Sequence, residues 1–279
     1  MSAPVKAAVY LGVVLLVGAG AFRFAVGPAL EAGMRRTLRT GAVVGAALIA
    51  LASLADVGWT VFRLVERFDP ALTGEYLLTT RHGRATLLRL ALTLPLALLA
   101  LRPRRRPVLF TVTSLGVLVT FSGLSHAAAE HGAAALLADL GHFAAAALWG
   151  GAVLYTALSP AWGDPAQRDA LTATVRRVSQ VGLASVFLLT ATGVYAGVLH
   201  LGTPATLATT PYGRTLSVKI ALVALILALA GLNRWVLLPR LTARGATKVF
   251  AQAMELEAFL LILVFAITGI LTTSPLPHG

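Results

Sequence analysis

Histidine is the residue type in this chain best suited to chemistry, and our assignment of membrane spans places all six histidines outside the membrane on one side or in the outer half of a span. Imidazole is the commonest metal ligand in proteins and changes its charge near neutral pH. Ionisable side chains inside a membrane usually mark a functional site. The six are His82, His126, His131, His142, His200 and His278. A one-sided collection of this kind predicts a metal site at the outer face.

Two imidazoles and a carboxylate lie close together between the fourth and fifth predicted spans. His126 is followed by Glu130 and His131, and the three side chains can approach one metal ion if the adjoining helix frays. Three residues separate His126 from Glu130, whereas the inverted zinc-peptidase motif H-x-x-E-H has two. The spacing argues against that protease class and leaves two interpretations, a metal site and a solvated loop.

His142 lies roughly 13 Å along the fifth predicted span, where a polar ring needs a partner. Asp139 is three residues earlier on the same helix face and is placed to accept a ring N–H; Trp149 continues that face seven residues later. Two interpretations stand at this point. His142 is either a metal ligand oriented by Asp139, or half of a structural His–Asp hydrogen bond that holds two helices together.

Several further polar residues belong to predicted spans or their flanks. Asp56, Arg89 and Lys219 lie at a similar depth in the outer half, where we expect their charges to neutralise one another, with Asp56 and Lys219 either adjusting the field at the site or locking helices. His82 and His200 are weaker ligand candidates in the flanks. A second polar layer near the inner side is predicted from Arg23, Asn233, Glu255 and Glu257.

Ligand chemistry narrows the metal. The chain has no cysteine, which excludes disulfides, thiolate metal sites and a CxxC redox pair. Imidazole with carboxylate suits Cu(II), Zn(II), Ni(II) or haem iron, and copper heads the affinity series for nitrogen and oxygen ligands. Copper is therefore the favoured ion, and the other metals remain open.

Composition shows what must position these residues. The chain of 279 residues is 57% hydrophobic and 12% charged, with a mean hydropathy of +0.82, whereas a soluble domain is about a quarter charged. An all-α polytopic membrane protein follows, because every backbone amide in lipid must be bonded internally and about 20 apolar residues span the bilayer. Eight spans are predicted, at 5–26, 41–62, 85–101, 108–125, 133–158, 175–199, 215–238 and 251–271.

The distribution of the basic residues predicts how the protein is oriented in the membrane. The net charge is +12, but these residues are dispersed among short loops and no soluble basic domain exists to hold nucleic acid. Fourteen of the lysines and arginines fall in one set of loops and six in the other. By the positive-inside rule the first set is cytoplasmic, which predicts that both termini lie outside the cytoplasm.

An internal repeat divides the chain. Residues 77–92 (LLTTRHGRATLLRLAL) and 207–222 (LATTPYGRTLSVKIAL) share a Thr-Thr entry, a Gly-Arg pair and a later basic residue at an offset of 130. Two pseudo-equivalent four-helix halves are predicted, 1–130 and 131–279, in the same orientation. Tyr212 stands where the first half has His82, and Gly12 stands where the second has His142, so any site is asymmetric.

Several short motifs, taken together, resemble the copper resistance D (CopD) family of bacterial inner-membrane proteins. They are Ser125-His126-Ala127, Asp139-x-x-His142 with Trp149-x-Gly151, Thr192-Gly193-Val194, Thr210-x-Tyr212-Gly213 with Lys219, Asn233-Arg234 with Pro239, Glu257-Ala258, and Thr273-Ser274-Pro275. The first half matches mainly by architecture. The resemblance implies eight helices, copper homeostasis, copper movement across the membrane and partnership with CopC, a small periplasmic copper-binding protein.

The family's histidines correspond to His126 and His142 only; His131, Glu130 and His82 are added on position alone. The preferred hypothesis is a non-enzymatic copper-handling protein with its site at the outer mouth between the halves. One alternative is a b-type haem or quinol-linked electron-transfer protein, in which paired histidines ligate haem. Another is an assembly factor for copper enzymes that only hands the metal over.

Overall fold

The computed structural model describes residues 2–67, 69–102, 106–122, 126–201, 205–241 and 246–274, and within these ranges it leaves the side chains of residues 31, 126–131, 200, 201 and 246 undescribed. The secondary structure of the described residues is helical throughout, as predicted. The helices are α1 (Ala3–Ala21), α2 (Glu31–Val65), α3 (Pro70–Thr79), α4 (Arg81–Leu101), α5 (Pro107–Ser122), α6 (His126–Ala157), α7 (Arg168–Leu201), α8 (Thr206–Thr209), α9 (Pro211–Leu232) and α10 (Ala246–Leu271).

Seven helices in the described residues are long and apolar enough to cross a membrane. Each of the eight predicted spans coincides with a helix, but the fourth, at 108–125, coincides with α5, which has 16 residues and ends at Ser122. At 1.5 Å per residue α5 is about 24 Å long, shorter than the hydrocarbon layer. The eight-span prediction is therefore not confirmed, although the all-helical membrane fold is.

Helix α1 lies at the centre of the bundle, packed against α2, α4, α6 and α10. Small residues make these close approaches possible. A Cβ on Gly12 would lie 2.8 Å from the Gly45 carbonyl oxygen of α2, and one on Gly18 would lie 2.6 Å from the Gly151 Cα of α6. Without a hydrophobic effect in lipid, such backbone contact is a main source of helix association. The first helices of the two proposed halves therefore touch directly, at Gly18 and Gly151.

The repeated sequence forms the same local structure twice. A short helix, α3 or α8, ends at a threonine that caps the next span: the Thr80 hydroxyl accepts from the Gly83 N–H at 2.9 Å, and the Thr210 hydroxyl accepts from the Gly213 N–H at 3.0 Å. In both copies a Cβ on the glycine would overlap backbone of the preceding short helix. The offset of 130 is thus structural at these two entries, while the full division into halves 1–130 and 131–279 stays a prediction.

The two ends of the bundle can be told apart by contacts between helix termini. Lys6 near the start of α1 donates to the Thr272 carbonyl just after α10. We call this the Lys6 end, and it also contains the start of α4 and the end of α2, which meet through His82 and Asp56. Since the chain crosses back and forth, the starts of α6 and α9 and the end of α7 belong to the same end.

Candidate functional site

His142 is joined to the neighbouring helix by a defined hydrogen bond. It lies ten residues after Gly132 on α6, about 15 Å along the helix from that glycine. Its Nδ1 is 2.9 Å from the Thr192 hydroxyl of α7, and that hydroxyl donates to the Leu188 carbonyl at 2.6 Å. Because the single hydroxyl hydrogen is engaged with Leu188, the Thr192 oxygen accepts from Nδ1–H. The other ring nitrogen, Nε2, then carries the lone pair that a metal requires.

Small residues on both helices bring α7 to the ring. A Cβ on Gly193 would lie 3.7 Å from His142 Cε1, and one on Gly141 would lie 3.7 Å from Leu188. The α7 backbone therefore forms one wall of the imidazole's surroundings. Thr192 and Gly193 are adjacent in sequence, so one turn of α7 supplies both the hydrogen-bond acceptor and the close approach.

Lys219 on α9 is near enough to His142 for its charge to act on the imidazole. Packing of α9 against α6 or α7 is not among the main helix contacts of the described residues, so Lys219 acts on the imidazole at a distance. We call His142, Thr192 and Lys219 the imidazole site. An ammonium group there opposes a second cation, so a metal bound at His142 needs an anionic neighbour or a neutral lysine.

Asp139, which we predicted as the group that orients His142, is partly buried one turn earlier on α6, and its charge acts on Tyr10 of α1. The observed partner of His142 Nδ1 is Thr192 instead. Sequence spacing pointed to a same-helix partner because only neighbours on one helix are visible in a single sequence. A role for Asp139 as the anionic neighbour of the site stays a prediction.

Asp56 lies in the first half, away from the position beside Lys219 that its depth suggested. Its carboxylate is 2.8 Å from His82 Nε2 and is 2% exposed. The ring of His82, which we ranked as a weaker metal ligand, also packs against Tyr76 of α3. Asp56 and His82 therefore connect α2 and α4 through a short Oδ2···Nε2 contact, although His82 Nε2 makes no hydrogen bond of acceptable geometry with the described residues.

Arg89 is likewise bound within the first half. Its guanidinium donates to the Thr120 hydroxyl at 3.1 Å, the Thr120 carbonyl at 3.2 Å and the Ser53 hydroxyl at 3.3 Å. It also stacks 3.8 Å from the Phe121 ring centroid. The expectation that the charges of Asp56, Arg89 and Lys219 neutralise one another is therefore incomplete for Arg89, because hydroxyl, carbonyl and aromatic partners supply its direct contacts.

Two members of the predicted second polar layer do meet. Asn233, in a π-helical turn that follows α9, donates to Glu257 of α10 at 2.9 Å. The Trp149 indole N–H also interacts with that carboxyl, so Trp149 serves this pair and not His142. Glu255 is exposed, and Arg23 donates to the Ala100 carbonyl.

The remaining predicted ligands cannot be placed. The backbone of residues 126–131 is helical and is separated from the rest of α6 by Gly132, at φ 71° and ψ −153°, but the side chains of His126, Glu130 and His131 lie outside the description. So does that of His200. Among the side chains that are described, no three of His, Asp or Glu converge as a metal site would need. The four-ligand site therefore stays a prediction with only His142 located.

Thr192 is the hydrogen-bond partner of His142 that our ligand assignment did not include. The sequence offered one signal, the Thr192-Gly193-Val194 motif, but no spacing rule links position 142 on one helix to position 192 on another. The pairing requires the α6–α7 contact, which only the structure supplies.

Comparison with known proteins gives the chain its family. Residues 3–137 match the family described as "Copper resistance protein D-like, N-terminal domain", and residues 172–271 match "Copper resistance protein D". The chain is 28% identical to the "Inner membrane protein YebZ" of Escherichia coli (strain K12) over 234 residues, which cover 82% of this chain and 78% of that protein. No solved structure matches. Because these two matches together cover most of the sequence, this chain belongs to the copper resistance protein D family of membrane proteins.

Proposed function

We propose that this protein binds copper at the imidazole site and carries it across the plasma membrane as cargo. The observation that carries the proposal is the fixed ring of His142, whose Nδ1 is bonded to Thr192 and whose Nε2 is left as an acceptor. Membership of a copper resistance family is the reason that we propose copper as the bound ion. An imidazole held in one tautomer inside an apolar bundle is preorganised for a transition metal, since no proton has to leave Nε2 before the metal binds.

His142 supplies one ligand, and the segment before it is the source we propose for the others. Residues 126–131 precede Gly132 on the same helix, whose backbone conformation at that point is one that essentially only glycine adopts. We propose that His126, Glu130 and His131 complete the coordination from this segment. Glu130 and Asp139 would supply the negative charge that offsets Lys219.

The orientation we propose puts the Lys6 end outside the cytoplasm. The excess of basic residues in the loops of the opposite end supports it. Copper then meets the imidazole site from the outer face, where a soluble copper-binding protein of the CopC type is the partner we expect.

Copper titration of the purified protein tests the proposal. We expect the wild type to bind copper stoichiometrically and His142→Ala to lose at least about 100-fold in affinity, because one imidazole ligand is removed. His82→Ala is the matched control: it deletes an imidazole already engaged with Asp56 and should change copper affinity by less than about threefold. Circular dichroism and gel filtration check that each variant is folded.

Full copper affinity in His142→Ala would overturn the site. An absorption spectrum of the same samples tests the electron-transfer alternative, since a haem Soret band that His142→Ala removes would replace copper with haem. Copper flux into proteoliposomes separates transport from the assembly-factor alternative, which predicts binding without flux.

A further inference from the structure

Glu257 is a buried carboxyl in the middle of a membrane-spanning helix and takes no part in the imidazole site. It is 3% exposed on α10, and the groups acting on it are two neutral side chains, Asn233 and Trp149. No charged group acts on it among the described side chains of the elements packed against α10, namely α1, α6, α9, the π-helical turn Asn233–Leu237 and the short helix Pro160–Gly163. Arg234, the residue after Asn233, is engaged with Ser179.

The pair leaves one polar atom unsatisfied. Asn233 Nδ2 donates to Glu257 Oε2 at 2.9 Å, while Asn233 Oδ1 is buried and accepts no hydrogen bond from any described residue. Asn233 as a whole is 5% exposed. A buried carbonyl oxygen without a hydrogen-bond donor destabilises the folded protein by about 1–3 kcal/mol. A further donor is therefore expected near Asn233 Oδ1.

A proton on Glu257 supplies that donor. A neutral carboxylic acid and an amide form two parallel hydrogen bonds: the amide N–H donates to one carboxyl oxygen, and the acid O–H donates to the amide oxygen. A proton on the Glu257 carboxyl, whose Oε2 already accepts from Asn233 Nδ2, would provide an O–H for the Asn233 amide oxygen. It also removes a buried negative charge that faces only neutral partners.

The pair is physically connected to the imidazole site. Trp149 follows His142 by seven residues on α6, two helical turns or about 10 Å further from the Lys6 end. Helix α9 carries Lys219 into one site and leads directly into the turn that holds Asn233. If copper moves inward from His142 along α6, as we propose, it approaches the level of the Glu257 carboxyl, where low polarity makes charge interactions strong.

From these observations we propose that Glu257, paired with Asn233, is a proton-binding site that couples copper passage to proton movement. When the path is empty, Glu257 is protonated and closed on Asn233. When copper arrives, the proton leaves for water and the carboxylate balances the charge of the cation; reprotonation from water restores the closed pair after the ion departs. This inference rests on the proposed copper transport, and it names the ion that drives it.

The decisive variant is Glu257→Gln. Glutamine has the shape of the protonated acid and can form the same paired bonds with Asn233, so the fold and the copper affinity of the imidazole site should be retained. Glu255→Gln is the matched control, since Glu255 is two residues away on the same helix and exposed. Both variants are reconstituted with a copper-responsive dye and a pH dye enclosed in the vesicles.

In wild type and Glu255→Gln, we expect an imposed pH difference to change the initial copper flux by about tenfold, and copper entry to move protons. In Glu257→Gln the flux should no longer respond to the pH difference. Infrared difference spectra between high and low pH should show a protonated-carboxyl C=O band that Glu257→Gln removes, Glu255→Gln retains and Asn233→Leu shifts in frequency.

Two results would overturn the proposal: a Glu257→Gln protein whose flux responds to pH like the wild type, and a wild-type infrared spectrum without a Glu257 carboxylic acid band. The infrared measurement needs no copper and stands even if a variant folds poorly. Failure of the proposed copper function looks different, because the wild type would then neither bind copper through His142 nor carry it, whatever the protonation of Glu257.

Discussion

Equivalent positions in the two repeated segments carry a basic residue in very different settings. Arg89 and Lys219 each follow the glycine of the repeated entry by six residues. Arg89 is 2% exposed and has direct contacts with Thr120, Ser53 and Phe121. Lys219 makes no hydrogen bond or ion pair with the described part of the chain, and its charge acts on His142.

This difference distinguishes polar side chains that stabilise helix packing from polar side chains that remain able to bind a ligand. In the first half the buried charges are engaged: Asp56 pairs with His82, and Arg89 is held by hydroxyls and an aromatic ring. In the second half His142 keeps Nε2 free of the Thr192 hydrogen bond, and the charge of Lys219, for which the described residues provide no ion-pair partner, acts on the ring. A buried polar group with all its partners holds helices together, whereas one with free capacity is available to a ligand.

The largest effect on stability is expected at Arg89, whose guanidinium has several direct contacts. Arg89→Lys should destabilise the protein by about 3 kcal/mol, because an ammonium group cannot reach Thr120 and Ser53 together or stack on Phe121 as a guanidinium does. The reciprocal change, Lys219→Arg, breaks no hydrogen bond shown here and should cost less than about 1 kcal/mol. Thermal unfolding in detergent compares them, and equal losses would erase the contrast between the halves.

The two halves should behave alike at the repeated glycines. Gly83→Ala and Gly213→Ala each drive a Cβ into the backbone of the preceding short helix and should each cost about 2 kcal/mol. The control glycines Gly58 and Gly197 have open space where a Cβ would stand, so alanine there should be neutral or stabilising within about 1 kcal/mol. A large loss at only one of Gly83 and Gly213 would limit the structural repeat to that half.

A smaller effect on copper affinity is expected when only the hydrogen bond that orients the His142 ring is removed. Thr192→Val removes the acceptor of His142 Nδ1–H while keeping the side chain's shape, and should weaken copper binding roughly tenfold. Thr93→Val is the control, since the Thr93 hydroxyl is buried and donates only to the carbonyl of its own helix at Arg89. Isothermal titration measures both affinities. Unchanged binding in Thr192→Val would mean that the hydrogen bond does not prepare the metal ligand.

The sequence was sufficient for the parts of this account that depend on periodicity and on local spacing. Hydropathy located every long helix, and the Thr-Thr…Gly-Arg repeat located two identical caps. The fourth predicted span, 108–125, is only partly tested, since the described part of α5 ends at Ser122 and residues 123–125 lie outside the described residues. Partners on other helices could not be predicted: Asp56 with His82, Arg89 with Thr120 and His142 with Thr192 each depend on which helices pack together, and one sequence does not contain that information.

The most direct test of the central claim is pulsed electron paramagnetic resonance of the Cu(II)-loaded protein. If copper is bound through His142 Nε2, the spectrum shows modulation from the remote Nδ1 of that imidazole, which His142→Ala reduces by one histidine and His82→Ala leaves unchanged. A spectrum that is identical in wild type and His142→Ala would contradict the account.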